Sequence, residues 1–323
     1  MSDQNYLFSV IICTYNRAAL LQRALETLCH QTLSMTEYEV IVVDNRSTDE
    51  TAKIVEDFRQ RLQNLRYCFE TEQGISQARN HGWCMAQGDY VAFTDDDSQL
   101  PAQWLATAQQ IIQRYAPAAF GGPYFACYDG PKPLWFKDSY GSTKLGDQPR
   151  ILTNGYLPGP NLFFRRDLLS ITGGFDPTLG IVGKQLGYGE EGALLQVVRE
   201  RCPQELIYYD PNLYVYHLAR PDKMRVGWQL RRQFVNGRYS YRVQKSALLP
   251  LLRLGQQGWR LAKMLLRLLS SHPLWLLHRD RSQYPYYQHY LIERVGPDLR
   301  KLGAMVEQLQ QTLTRQQTRD GAQ

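Results

Sequence analysis

Two apolar, β-branched runs, FSVIIC (residues 8–13) and EVIVVD (residues 39–44), constrain the fold of this chain more than any other feature. Neither alternates apolar with polar residues, so both faces of each strand are to be buried, the pattern of parallel strands with helices on either side. Between them Leu20, Leu21, Ala24, Leu25 and Leu28 recur at helical spacing and draw one apolar stripe. Strand, helix, strand makes a βαβ unit. Ser47 with Glu50 three residues on reads as a capping box, opening a second helix that carries Ile54, Val55 and Phe58. A third strand is expected at 65–69, a third helix at 74–86 and a fourth strand at 90–94. The class is therefore α/β, a doubly wound sheet whose ligands bind beyond the carboxyl ends of its strands.

Polar loops follow those strands: TYNR (14–17), DNRSTDE (44–50) and DDD (95–97). Each alone is an ordinary turn, but a parallel sheet would bring all three to one edge. No G-x-G-x-x-G follows the first strand and no G-x-x-x-x-G-K-[ST] occurs, which disfavours a Rossmann dehydrogenase or a P-loop NTPase. Without a glycine cradle, nucleotide phosphates need another cation, and a carboxylate-bound divalent ion supplies one. Asp95 and Asp97 alternate, so their carboxylates can converge on one side of the turn and hold such an ion with positions left open for diphosphate oxygens.

The length, 323 residues, suits one large domain or a compact domain with an appendage. Thirty-seven Lys and Arg against thirty-one Asp and Glu give +6, with much of the excess after Arg220, which points to an anionic partner for that region. We expect no nucleic-acid partner. Six cysteines without C-x-x-C spacing, and an N-terminus lacking the pattern of a secretory signal, lead us to expect reduced thiols and a cytoplasmic protein. No apolar run reaches the length of a membrane span. Leu261, Met264, Leu265, Leu268 and Leu269 nevertheless recur at helical spacing, with Arg260, Lys263 and Arg267 on the other side. Such a helix suits the anionic inner face of a plasma membrane, or packing on the catalytic domain or on a partner chain.

In this order and spacing VIICTYNR, IVVDNRSTDET, GISQARNHG, GDYVAFTDDDSQLPAQWL, GGFD, GEEGALLQVVRE and VYHLAR are specific, and across about residues 8–245 the chain resembles family 2 glycosyltransferases of the GT-A fold. The likeness extends to bacterial, notably cyanobacterial-type, enzymes of surface-polysaccharide synthesis. It implies an inverting, metal-dependent transferase that moves a sugar from a UDP- or GDP-linked donor to a hydroxyl of a glycan or lipid-linked acceptor. It implies a catalytic domain over 1–220, with a donor half to about 120 and an acceptor half from 121, then a helical extension over 221–323.

The resemblance also distributes roles. Thr14, Tyr15 and Arg17 match the nucleotide loop, Asp44 the carboxylate that accepts from the base, and Arg79 the basic residue near base and diphosphate. Asp95 matches the residue near ribose and metal, Asp96 the middle donor-side position, and Asp97 the principal ligand of Mn²⁺ or Mg²⁺, with His217 completing the metal shell. Glu190 and Glu191 open a helix, where their charges would suit its N-terminus in any case. By resemblance Glu191 is the general base, in a place where the family carries Asp, and Glu190 faces the acceptor. Asp176, in GGFD, matches a position near the acceptor. Loops rich in Pro, Gly and aromatics (121–136 and 154–166) suit a saccharide platform, and Trp135 is either its acceptor contact or a buried loop anchor. Arg231 and Arg232 either reach the diphosphate or coat a helix. A non-catalytic nucleotide-sugar or glycan-binding module is the alternative, but a degenerate copy would be expected to lose Glu191. A sugar-phosphate nucleotidyltransferase would want a glycine-rich basic loop after the first strand, which is absent.

Overall fold

The computed structural model describes residues 6–183, 185–244, 259, 262, 263, 266, 269, 270, 273, 275, 276 and 283–320. They divide into two compact units, one made of Met1–Gly130, Lys137–Gln185 and Glu190–Ala219, the other of Pro131–Phe136, Leu186–Gly189 and Arg220–Gln323.

The first unit runs β1 (Phe8–Thr14), α1 (Ala18–Leu28), β2 (Tyr38–Asp44), α2 (Thr51–Phe58), β3 (Leu65–Phe69), α3 (Ile75–Met85), β4 (Tyr90–Asp95), β5 (Ser98–Gln99), α4 (Trp104–Tyr115), β6 (Ala119–Gly121) and β7 (Tyr124–Cys127). It continues through α5 (Asp138–Gly141), β8 (Arg150–Ile151), a 3₁₀ turn at Gly159–Asn161, β9 (Leu162–Arg165), α6 (Arg166–Thr172), α7 (Glu190–Arg201), β10 (Ile207–Tyr209) and β11 (Val215–Leu218). Eight strands form one sheet in the order β3-β2-β1-β4-β9-β6-β10-β8. β3, β2, β1 and β4 pair in parallel, whereas β9 runs antiparallel between β4 and β6.

The continuous apolar runs are buried on both faces, as their composition requires. Phe8, Val10 and Ile12 join α1 and α4 in one core layer, while Ile11, Ile41 and Val43 join α3 and α7 in the other. Full burial of such a side chain contributes about 1.5–3 kcal/mol, so the alternation of layers fixes the register. That register sets Thr14 opposite Asp44 and Cys13 opposite Asp95, so β1, β2 and β4 end level and deliver their loops to one edge.

The capping box does not form. α2 starts at Thr51, because the Ser47 hydroxyl is already occupied in accepting the Asn16 N–H (2.9 Å). Asp49 organises the turn instead, its Oδ1 accepting from both the N–H (3.2 Å) and the hydroxyl (2.5 Å) of Thr51. A second, three-stranded sheet, β5-β11-β7, pairs His217 with Ser98 and so sets the histidine beside Asp97.

In the second unit α8 (Val226–Gln244) packs on the helix Gly296–Asp320 with their backbones almost touching. A Cβ on Gly237 would fall 1.8 Å from the Arg300 carbonyl oxygen, and one on Gly303 1.9 Å from that of Phe234. Buried Glu307 accepts hydrogen bonds from Arg238 and Arg242 across the pair. The Gln-rich residues after Lys301 belong to this helix, which runs to Asp320. Arg231 is exposed on α8 and the Arg232 guanidinium lies over the Trp228 ring at 5.8 Å. The amphipathic stretch 260–269 lies mostly outside the described residues, Leu261, Met264, Leu265 and Leu268 among them.

Candidate active site

The three aspartates at the end of β4 divide their work. Asp95 and Asp97 turn to the same side, where the His217 Nε2 lies 2.9 Å from Asp97 Oδ1 and 3.5 Å from Asp95 Oδ2. One ligand atom from each of the three residues lies within 4.8 Å of the others. Two carboxylates and an imidazole at that spacing fit a six-coordinate ion such as Mn²⁺ and leave positions for other oxygens. Burial alone would raise the pKa of Asp95, but its His217 contact and the charge of Arg79 outweigh burial and hold it below the usual range.

Asp96 points the other way. It accepts from the Thr14 hydroxyl (2.8 Å) and from Arg17 Nη1 (2.8 Å), tying the loop after β1 to the aspartate turn. Burial pushes its carboxyl up to about 6, with Arg17 opposing and the neighbouring Asp97 charge adding.

Opposite the aspartates, Arg79 is buried on α3 at 5% exposure. Its Nη2 lies 3.6 Å from Asp95 Oδ1, and its Nη1 lies 3.2 Å from Glu190 Oε1 and 3.1 Å from Glu191 Oε1. The guanidinium also sits 5.3 Å above the Phe175 ring, a cation over an aromatic face. One arginine thus spans the aspartate turn and the first turn of α7. Backbone passes close beside this bridge at Gly159, where a Cβ would fall 2.1 Å from Glu191 Oε1 and 2.8 Å from Arg79 Nη2. Only glycine leaves the Glu191 carboxylate where it is.

The two glutamates differ. Glu191 keeps partial exposure, whereas Glu190 is 6% exposed and its Oε2 is buried without a hydrogen-bond partner. Burial first, and then the charge of Glu191, push Glu190 up to about 8 against the pull of Arg79. A raised folded pKa means that the folded protein keeps a proton that the unfolded chain has lost, so this group's contribution to stability falls as pH rises from about 4.5 to about 8. Glu190→Gln should therefore melt above the wild type at pH 8 and close to it near pH 4.5, a difference on the order of 4 kcal/mol. Thermal melts across that window check it; parallel curves would mean that Glu190 ionises freely.

The loops after β1 and β2 hold one another. Asp44, itself buried, accepts the Ser47 N–H (2.7 Å) and the Tyr67 hydroxyl (2.8 Å). Tyr15 is half-buried, next to Asn16 at φ 53°, a left-handed conformation that asparagine tolerates better than most residues. Asn16 Oδ1 accepts the Thr48 N–H, while Asn45 accepts the Gly74 N–H and donates to the Glu72 carbonyl. Asn16, Asn45 and Tyr67 were not singled out in the sequence; the two asparagines flanking strand ends were the available signal.

Thr14, Arg17, Arg79, Asp95, Asp96, Asp97, Glu190, Glu191 and His217 are thus linked in a chain of direct contacts. Asp176 is not in it: exposed, it closes a turn by accepting the N–H and hydroxyl of Thr178, next to Phe175, which Asn80 holds by two hydrogen bonds. Trp135 belongs to the second unit, where its carbonyl accepts from His289 Nε2 at 2.6 Å.

Comparison with known proteins agrees with this geometry. Residues 9–171, half of the chain, match the profile of glycosyl transferase family 2. Glycosyltransferase AglE of Haloferax volcanii is 29% identical over 295 residues, covering 91% of this chain and 87% of the relative. The succinoglycan biosynthesis protein ExoM of Rhizobium meliloti is 26% identical over 241 residues, 73% of this chain and 75% of its own. Among solved structures, the mannosyltransferase PcManGT of Pyrobaculum calidifontis, in complex with GDP-Man and Mn²⁺, superposes with a TM-score of 0.64 at 20% identity, covering 94% of this chain and 87% of that one. The chain belongs to glycosyl transferase family 2, a glycosyltransferase with the GT-A fold.

Proposed function

We propose that this enzyme moves a sugar, with inversion, from a UDP- or GDP-linked donor to a hydroxyl of a glycan or lipid-linked acceptor. The observation that carries the reading is the Arg79 bridge, which sets a carboxylate of the aspartate turn and a carboxylate at the start of α7 on one guanidinium. Thr14, Tyr15, Arg17 and Asp44 hold the nucleoside end. Asp95, Asp97 and His217 would hold Mn²⁺ or Mg²⁺, and the imidazole favours Mn²⁺. When bound, the ion neutralises the charge that builds on the diphosphate leaving group. Glu191 accepts the proton of the acceptor hydroxyl as its oxygen attacks the anomeric carbon in line and the bond to the diphosphate breaks. Arg79 orients Glu191 and keeps positive charge beside Asp95, while Glu190 stays next to the acceptor side of the pair. A thermal-shift screen of UDP- and GDP-sugars with Mn²⁺ tests the donor side: stabilisation by one nucleotide class that disappears in EDTA is expected, and no stabilisation by either would reject it.

The acceptor reading extends to a membrane surface. No described helix is long and apolar enough to cross a bilayer, but Trp259, Leu266 and Leu269 are 66%, 68% and 82% exposed. The sequence around them carries Arg253, Arg260, Lys263, Arg267 and Arg279 before its next acid, Asp280. Exposed apolar groups with basic neighbours favour reversible binding to anionic lipid, weakened by salt. Flotation with phosphatidylglycerol liposomes should recover the wild type and lose the triple variant Trp259→Ser, Leu266→Ser, Leu269→Ser. Equal flotation of the two would assign these residues elsewhere.

A further inference from the structure

The GGFD motif (173–176) holds a residue that the mechanism so far leaves unused. Phe175 is 1% exposed, and the Arg79 Cζ lies over its ring, 5.3 Å from the centroid. A guanidinium carries its five N–H donors in its plane and none on its faces. Arg79 turns that edge to carboxylates, with Nη2 3.6 Å from Asp95 and Nη1 3.2 and 3.1 Å from Glu190 and Glu191. The Phe175 ring covers one face. The ring in turn is held through the two elements that carry the site. Asn80, next to Arg79 on α3, donates to the Phe175 carbonyl (2.8 Å) and accepts its N–H (2.8 Å), and the same Oδ1 takes the Trp83 indole N–H (3.1 Å). Phe93, two residues before Asp95 on β4, meets the Phe175 ring at 5.0 Å and 89°. Gly174 lets the backbone pass: at φ +74° a side chain would be strained, and its Cβ would fall 2.5 Å from Asn80 Oδ1.

At 1% exposure Phe175 cannot meet donor or acceptor, so its influence on the reaction passes through Arg79. An aromatic face attracts a cation by its quadrupole, most strongly where water is excluded, and Arg79 is itself buried. The same face stops the guanidinium plane from tilting, and a tilted plane cannot keep one nitrogen on Asp95 and the other on Glu191. We propose that Phe175 is a positioning residue for transfer: its ring fixes the plane of Arg79 and, through it, the direction of the Glu191 carboxylate toward the acceptor hydroxyl. This rests on the function proposed above and gives GGFD a part in the reaction through its aromatic residue.

Replacing Phe175 by mono-, di- and trifluorophenylalanine keeps its shape while draining the negative face of the ring. Release of nucleoside diphosphate from a panel of UDP- and GDP-sugars in Mn²⁺ reads the consequence. Turnover should fall stepwise, by about five- to tenfold for the trifluorinated ring, with the donor KM and the melting temperature unchanged. A ring that only fills the core would leave turnover level along the series, or lose it in step with the melting temperature, and either result rejects the proposal. A second readout needs no substrate. In the ligand-free protein, exchange of the Arg79 Nη1 and Nη2 signals by rotation of the guanidinium is followed by nitrogen NMR, the signals being identified by their loss in Arg79→Lys. That exchange should be about five- to tenfold faster beneath the trifluorinated ring, and an unchanged rate rejects the proposal even where transfer itself is confirmed. Silence of the wild type on every sugar would instead reject the transfer reading, and with it the catalytic consequence of the ring, whatever the exchange rates.

Discussion

Glu191→Gln should lower sugar transfer by about 10² to 10⁴ while the donor dissociation constant stays unchanged, the usual cost of removing a general base. The amide keeps the size of the carboxylate and can still accept a hydrogen bond from Arg79, so the bridge geometry survives while the proton acceptor is lost. Glu190→Gln is the internal control. Glu190 is buried with its pKa raised, so replacing it removes little charge near neutral pH and should cost far less activity. Steady-state kinetics on the two variants decide between the neighbours: a dead Glu190→Gln with an active Glu191→Gln would move the base one residue back. Full activity in both would leave the acids as partners of the helix dipole only.

Asp97→Ala should remove metal-dependent nucleotide binding. Asp97 is 5% exposed and lies 2.9 Å from His217 Nε2, so its loss takes away one of three clustered ligands. Calorimetry with UDP or GDP in Mn²⁺ should show affinity lowered by about 100-fold or more, since even changes behind the ligands cost 10- to 100-fold. Wild-type protein in EDTA should behave like the variant in Mn²⁺. Equal wild-type affinity in EDTA and in Mn²⁺ would remove the metal from the account.

The parallel half of the sheet was legible in the sequence because strands buried on both faces leave unbroken apolar runs. β1, β2 and β3 fall within a residue of their expected limits for this reason. The antiparallel insertion of β9 and the strands β5 and β7 of the small sheet were not legible, since strands of two to four residues carry no usable period. His217 was singled out by resemblance, yet what sets it beside Asp97 is its pairing with Ser98 in that small sheet. The capping box failed on a competing partner, as Ser47 serves the Asn16 backbone. Arg79 was singled out by resemblance, but its ties to Glu190 and Glu191 join residues 111 and 112 positions apart and depend on how α3 meets α7.

Metal-dependent chemistry on a nucleotide sugar is read out by release of nucleoside diphosphate from a panel of UDP- and GDP-sugars in Mn²⁺ and in EDTA. At least one nucleotide sugar should release it, in a reaction that requires the ion and is lost in Asp97→Ala. Release that persists undiminished in EDTA and in Asp97→Ala, or none from any donor in either condition, would contradict that chemistry.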